Sequence, residues 1–227
     1  MLGELEAQII REEENNKIES NLNFKIILLG DSNVGKSSLL RRAIKGTFDS
    51  VNSPTIGYEF FSLNVKIEES IITLQIWDTC GLEIYRSLIS AFYRNGSLVI
   101  LVFSIDTKDS FDNIESWINE IKTKCSPDII MFLIGNKADL EDKREVTKEM
   151  VDTFCENYNF SLCLETSAKT GVNAEKIFIE AAKMLYRKHF KIEPINNSLD
   201  EKKNFKLNDN DNDKEDKNQR SRKKKCC

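Results

Sequence analysis

Histidine is almost missing from this chain: His189 is the only one in 227 residues. The six cysteines, Cys80, Cys125, Cys155, Cys163, Cys226 and Cys227, form no C-x-x-C pair. This composition argues against a histidine general base and against a zinc centre. No apolar stretch approaches the roughly 18 residues needed to span a membrane. The amino terminus, "MLGELEAQIIREEENNK", is acidic and polar rather than signal-like. Both features point to a cytosolic chain with reduced thiols. Positive charge is not in excess either, since the net charge of −4 argues against bulk nucleic-acid binding.

What is present is a regular alternation. Residues 1–22 carry Leu2, Leu5 and Ile9 at helical spacing and read as an N-terminal extension, a short frayed helix at most, with a plain solvated arm the favoured reading. From Phe24 onward, short β-rich runs alternate with helical stretches. "FKIILLG", "TLQIWD", "LVILVFSI", "IIMFLIGN" and "FSLCLETSA" read as buried parallel strands. Residues 35–45, 110–124, 147–157 and 173–190 read as helices, and "YEFFSLNVKI" (58–67) as an antiparallel edge strand. The expected domain covers 23–193. Residues 194–227, rich in Asn, Asp, Lys and Glu, lack the apolar surface to order themselves and read as a flexible tail.

Three motifs fall at predicted strand ends. "GDSNVGKS" (30–37) fits G-x-x-x-x-G-K-[ST] between a strand and a helix. There the backbone N–H groups of a glycine loop and a helix N-terminus cradle phosphates, Lys36 neutralises β/γ oxygens, and Ser37 can ligate Mg²⁺. Asp78 ends the strand 71–77, where it can hold a magnesium-bound water, and Gly81 lets a backbone N–H approach the terminal phosphate. "GNKAD" (135–139) follows another strand, and its Asp139 carboxylate can accept two hydrogen bonds from the N1 and N2 edge of guanine, which adenine does not offer. "ETSAK" (165–169) can add the Ala168 N–H for the guanine oxygen.

With these motifs in this order, the segment from Phe24 to His189 resembles a small GTPase of the Ras superfamily. "IGYEF", "TLQIWDT", "FYRNGS", "LVFSIDTKDSF" and the terminal Cys-Cys resemble its Rab branch most. The resemblance implies a P-loop NTPase-type α/β fold with a mostly parallel six-stranded sheet, one antiparallel edge strand and helices on both faces. It implies GTP/GDP bound with Mg²⁺ by Ser32, Asn33, Val34, Gly35, Lys36, Ser37, Ser38, Phe48, Thr55, Gly81, Asn136, Lys137, Asp139, Ser167, Ala168 and Lys169. Within that set Ser37, Thr55 and, through water, Asp78 serve the metal. Phe60, Trp77 and Phe92 would form an aromatic effector surface, although core packing explains any one of them as well.

One position departs from the resemblance. Leu82 stands where the family carries the glutamine that orients the attacking water, and leucine has neither donor nor acceptor. The resemblance assigns catalysis to Lys36, Thr55, Gly81 and position 82, so intrinsic GTP hydrolysis is expected to be slow. A GTP-locked recruitment module with little or no turnover is the alternative. A P-loop ATPase or nucleotide kinase is disfavoured by Asp139. Cys80 and Ile84 depart from the family as well, which points to a divergent switch.

At the carboxyl end "RSRKKK" (220–225) precedes Cys226 and Cys227. A basic stretch gains roughly 1 kcal/mol per charge at an anionic leaflet, and two lipid chains supply stable anchoring. The resemblance implies geranylgeranylation of both cysteines, an escort protein, a dissociation inhibitor, an exchange factor, a GTPase-activating protein and effectors. It places the chain in the cytosol and on the cytoplasmic face of an endomembrane, with no nucleic-acid partner.

Overall fold

The structure, a computed structural model, describes residues 5–10, 22–49, 55, 57–79 and 93–192. Its strands are β1 (Ala7–Ile10), β2 (Leu22–Leu29), β3 (Tyr58–Ile67), β4 (Ser70–Thr79), β5 (Leu98–Ser104), β6 (Ile130–Asn136) and β7 (Leu162–Glu165). They form one sheet in the order β1-β3-β4-β2-β5-β6-β7. β4, β2, β5, β6 and β7 run parallel, whereas β3 is antiparallel to both β4 and β1. The helices are α1 (Lys36–Lys45), α2 (Lys108–Asp112), α3 (Ile114–Lys124), α4 (Lys148–Asn157) and α5 (Ala174–Phe190), with a 3₁₀ segment at Ala138–Lys143. Among the described residues no helix is long and apolar enough to cross a membrane.

Strand periodicity divides the core in two. Ile26 and Leu28 of β2 face a cluster with Leu39 and Leu40 of α1 and Ile177, Phe178 and Ala181 of α5. Ile27 and Leu29 face the other cluster, with Phe103, Trp117, Ile118 and Val151. All seven residues of β5 are buried, as a central parallel strand covered by helices on both faces requires.

Four expectations need correction. The sheet has seven strands rather than six, because residues 7–10 form β1 instead of a helix turn. Leu2, Leu5 and Ile9 mimic a helical period, but Leu5, Ala7 and Ile9 have the period of two that puts them together against the core. β1 pairs Ala7–Ile10 with Ile67–Asn64, so β3 is not the sheet edge along that half. The helix expected at 110–124 is two, α2 and α3, meeting at Asn113. Finally, two thiols expected to be reduced are joined, Cys155 of α4 to Cys163 of β7, while Cys125 is free. A spacing of eight residues carries no sequence signature of pairing, and α4 folding back beside β7 brings the two together.

Candidate functional site

The site lies at the carboxyl ends of the parallel strands, where ligands bind in open α/β sheets. β2 ends at Leu29 and the chain turns through residues 30–35 into α1. Gly30 has φ +136°, and a Cβ there would lie 2.0 Å from the Val102 carbonyl oxygen. Gly35 has φ +92°, and its Cβ would lie 2.4 Å from Asn136 Nδ2. Both positions exclude side chains, which lets the loop curve tightly and lie directly against β5 and β6. Ser32 and Asn33 are exposed, Val34 is buried, and Ser37 and Ser38 are half-buried at the start of α1.

Lys36 is buried, and its Nζ donates to the carbonyls of Gly30 at 2.8 Å and Asp31 at 2.7 Å, which holds the ammonium inside the loop's curve. The Asp31 carboxylate accepts from Asn113 Nδ2 at 2.7 Å and Trp117 Nε1 at 3.0 Å, tying the loop to α3. Sequence reasoning missed this tether, since nothing in the spacing pairs residues more than eighty positions apart.

Asp78 lies within β4, which runs on to Thr79, so it does not end a strand 71–77 as expected. It sits opposite Leu28 of β2 and Glu59 of β3. Its side chain is fully buried, and neither carboxylate oxygen has a hydrogen-bond partner among the described residues. Burial pushes its pKa up to about 6, while the nearby Ser37 hydroxyl, itself engaged with Thr55, and the Lys36 charge pull only partly the other way. The Ser37 and Thr55 hydroxyls are 2.8 Å apart. Two hydroxyl oxygens beside a buried, unpartnered carboxylate form a hard oxygen set of the kind Mg²⁺ takes.

At the far side of the loop, Asn136 is buried and joins three segments. Its Nδ2 donates to the Val34 carbonyl at 2.8 Å, and its Oδ1 accepts from Thr166 Oγ1 and the Ala168 N–H, both at 3.3 Å. Lys137 adopts a left-handed backbone and its Nζ lies 3.3 Å from Asp106 Oδ1. Asp139 Oδ1 accepts from the Ser167 hydroxyl at 2.5 Å, and Lys169 Nζ lies 3.8 Å from its Oδ2. Ser167 and Ala168 are buried and Lys169 is exposed. The residues expected to read a base therefore meet, around Asn136, the loop expected to hold phosphates.

Phe48 is exposed just beyond α1. Phe60 and Tyr58, each half exposed, contact Trp77 with ring centroids 5.3 and 5.4 Å away, and Lys25 Nζ lies 5.0 Å from the Trp77 ring. This cluster is on the surface rather than in the core. Gly81, Leu82, Phe92, Cys226 and Cys227 lie outside the described residues.

A further group behind the loops expected to read the base carries no motif. The Arg144 guanidinium is mostly buried and donates to Glu165 at 2.7 and 2.9 Å, to Glu141 at 2.9 and 2.7 Å and to the Val146 carbonyl at 2.9 Å. The Glu165 hydrogen bonds raise its pKa above the ordinary guanidinium value.

Comparison with known proteins agrees with this geometry. The protein-family model described as the Ras family matches residues 25–187. The chain is 44% identical over 168 residues to Ras-related protein RHN1 of Nicotiana plumbaginifolia, covering 74% of this chain and 84% of that one. It is 42% identical over 183 residues to Ras-related protein Rab5 of Nicotiana tabacum, covering 81% and 91%. It is 40% identical over 177 residues to Ras-related protein RABF2a of Arabidopsis thaliana, covering 78% and 86%. The phosphate-loop signature, the buried Asp78 carboxylate beside it and the similarity along most of the domain lead to one assignment: this chain belongs to the Ras family as a Rab-type small GTPase.

Proposed function

We propose that this protein is a membrane-anchored GTPase switch that binds GTP and GDP with Mg²⁺ and recruits effectors in vesicle trafficking, with slow intrinsic turnover. The observation that carries the reading is the meeting, through Asn136, of the glycine loop at 30–37 with the loops bearing Asp139 and Ala168. Such an arrangement grips a phosphate chain at one end and a purine at the other. The Asp139 carboxylate selects guanine because adenine leaves it unpaired. Phe48 would lie across the base.

The backbone N–H groups of residues 32–38 and the N-terminus of α1 favour the polyphosphate, and Lys36 neutralises charge that grows between β and γ oxygens during in-line attack by water. Ser37, Thr55 and Asp78, the last through water, would hold Mg²⁺, which would supply further charge neutralisation when bound. Gly81 would offer its N–H to the terminal phosphate. Leu82 cannot orient the water, so hydrolysis is slow unless an activating protein contributes the missing groups. The GTP-locked module remains the second reading, favoured by the same leucine.

The functional division follows the same logic. Residues 1–22 extend the domain of 23–193, and the tail 194–227 carries the basic stretch and the prenylated Cys226 and Cys227. The exposed Tyr58–Phe60–Trp77 cluster, with Phe92, would receive effectors in the GTP state. An escort protein, dissociation inhibitor, exchange factor and activating protein complete the cycle between cytosol and an endomembrane, with no nucleic-acid partner.

Single-turnover hydrolysis of bound GTP, with ATP as competitor, tests this reading. The expected result is GTP bound over a large excess of ATP, slow cleavage, and faster cleavage in Leu82→Gln. Equal rates in wild type and Leu82→Gln would show that another group positions the water.

A further inference from the structure

Asp139 and the Ala168 N–H belong to different segments: the first to the 3₁₀ segment after β6, the second to the loop after β7. Reading a base with both requires that the two segments keep a fixed separation. The Ala138 N–H on the Thr166 carbonyl at 2.9 Å and the Ala168 N–H on Asn136 Oδ1 at 3.3 Å join the bases of the two segments, and nearer the base the link is slight, a Ser167 hydroxyl on Asp139 Oδ1, with Lys169 at 3.8 Å from Oδ2. The Ser167 and Lys169 contacts both involve the carboxylate that the base itself must use.

Arg144 supplies a further, side-chain link that leaves Asp139 free. On one side its guanidinium donates twice to Glu141, two residues beyond Asp139. On the other it donates twice to Glu165, two residues before Ser167. The ion pair with Glu165 is largely shielded from water, with side-chain exposures of 11% and 9%, so its geometry is firmly held; the Glu141 side is 63% exposed. A fifth hydrogen bond, to the Val146 carbonyl, fixes the guanidinium plane, and Asn173 Nδ2 donates to the Glu165 carbonyl at 2.8 Å. Asp139, Glu141, Arg144, Glu165 and Ser167 thus close a ring in which only one connection depends on the base-reading carboxylate.

We propose that Arg144 is a positioning residue for guanine selectivity, setting the distance between the Asp139 carboxylate and the Ala168 N–H by bridging Glu141 and Glu165. The inference rests on the proposed reading of Asp139 as the group that pairs with guanine. Lysine cannot replace it, because one ammonium cannot present two parallel N–H pairs to two carboxylates.

The test compares dissociation rates of GDP and inosine diphosphate, which lacks only the 2-amino group, from the full-length protein. Wild type is expected to release inosine diphosphate about tenfold faster than GDP or more, as loss of a hydrogen bond to a charged acceptor implies. In Arg144→Lys the GDP rate should rise about tenfold while the inosine diphosphate rate rises less, so the ratio contracts toward one. Because Arg144→Lys could leave Glu165 poorly paired and disturb folding, two further variants are needed. Arg144→Met with Glu165→Gln removes both buried charges together, and Glu141→Gln alters only the exposed partner; both should contract the ratio, the second partially. A ratio kept at the wild-type value while both rates rise equally, or rates that do not change, would overturn the inference and leave Arg144 as a brace for stability alone. If wild type itself shows no preference between the two nucleotides, the guanine reading of Asp139 fails, and this inference with it.

Discussion

Burial of the Asp78 carboxylate without a hydrogen-bond partner costs the folded protein free energy that a neutral side chain would not. The pKa of Asp78 is raised from 3.8 to about 6 by burial. The folded state therefore holds this proton more tightly than the unfolded one. Its contribution to stability is fully present below pH 3.8 and is lost as pH rises through about 6, a difference of about 3 kcal/mol. Asp78→Asn should raise the melting temperature of the EDTA-treated protein near pH 7 and flatten its dependence between pH 4 and about 6. The same variant should lose the added stability that Mg²⁺ with GDP gives wild type, which differential scanning calorimetry in both conditions would read. No gain in EDTA would mean that the carboxylate is solvated or paired after all. At this scale the motifs picked out Lys36, Ser37, Asp78 and Asp139, each within a few residues of a strand end by local spacing. Asp31, Asn113 and Trp117 were not, because their hydrogen bonds join separate segments. Trp117→Phe keeps most of the buried volume and removes one hydrogen bond to a carboxylate, so it should cost about 1–3 kcal/mol in urea unfolding and hasten GDP release.

At the level of elements, β1 and the cysteine pair are the additions. Ile10 is buried against β3, and the backbone of β1 covers Asn64–Ile67. Ile10→Ala should destabilise by about 2–4 kcal/mol, and deletion of residues 1–10 should speed hydrogen exchange at those β3 amides while leaving Tyr58–Leu63 unchanged. Uniform exchange along β3 in the deletion variant would mean that β1 does not protect it. The Cys155–Cys163 bond closes a short loop between α4 and β7. Reduction, or Cys163→Ser, should lower stability by about 2–3 kcal/mol from loop entropy, seen as a lower melting temperature in reductant. An unchanged melting temperature in reductant would place the thiols apart in solution. The parallel strands were legible as continuous apolar runs, and β3 as an alternating one. β1 was not, because a four-residue strand offers too few positions to distinguish a period of two from one of 3.6.

For the whole molecule, the tail and the domain have separable tasks under the proposed function. Replacing Cys226 and Cys227 with serine should move the protein from membrane to soluble fractions in cells without changing GDP affinity, whereas removing only the basic charges of 220–225 should weaken membrane retention in proportion to their number. Retention of the cysteine-free variant on membranes would sink the lipid-anchor reading. The sequence by itself determined the order of the strands from Leu22 onward and the approximate helical regions between them, the glycine-rich loop motif and the positions of Asp78 and Asp139 near strand ends, because hydrophobic period and turn chemistry act over a few neighbouring residues. Only the tertiary structure decided the seventh strand, the joining of Cys155 to Cys163, the Asp31 tether to α3 and the Arg144 bridge from Glu141 to Glu165. Each of these rests on contacts between segments that folding alone brings within a few ångströms, and burial then gives them the low-dielectric surroundings in which a hydrogen bond or ion pair holds its geometry.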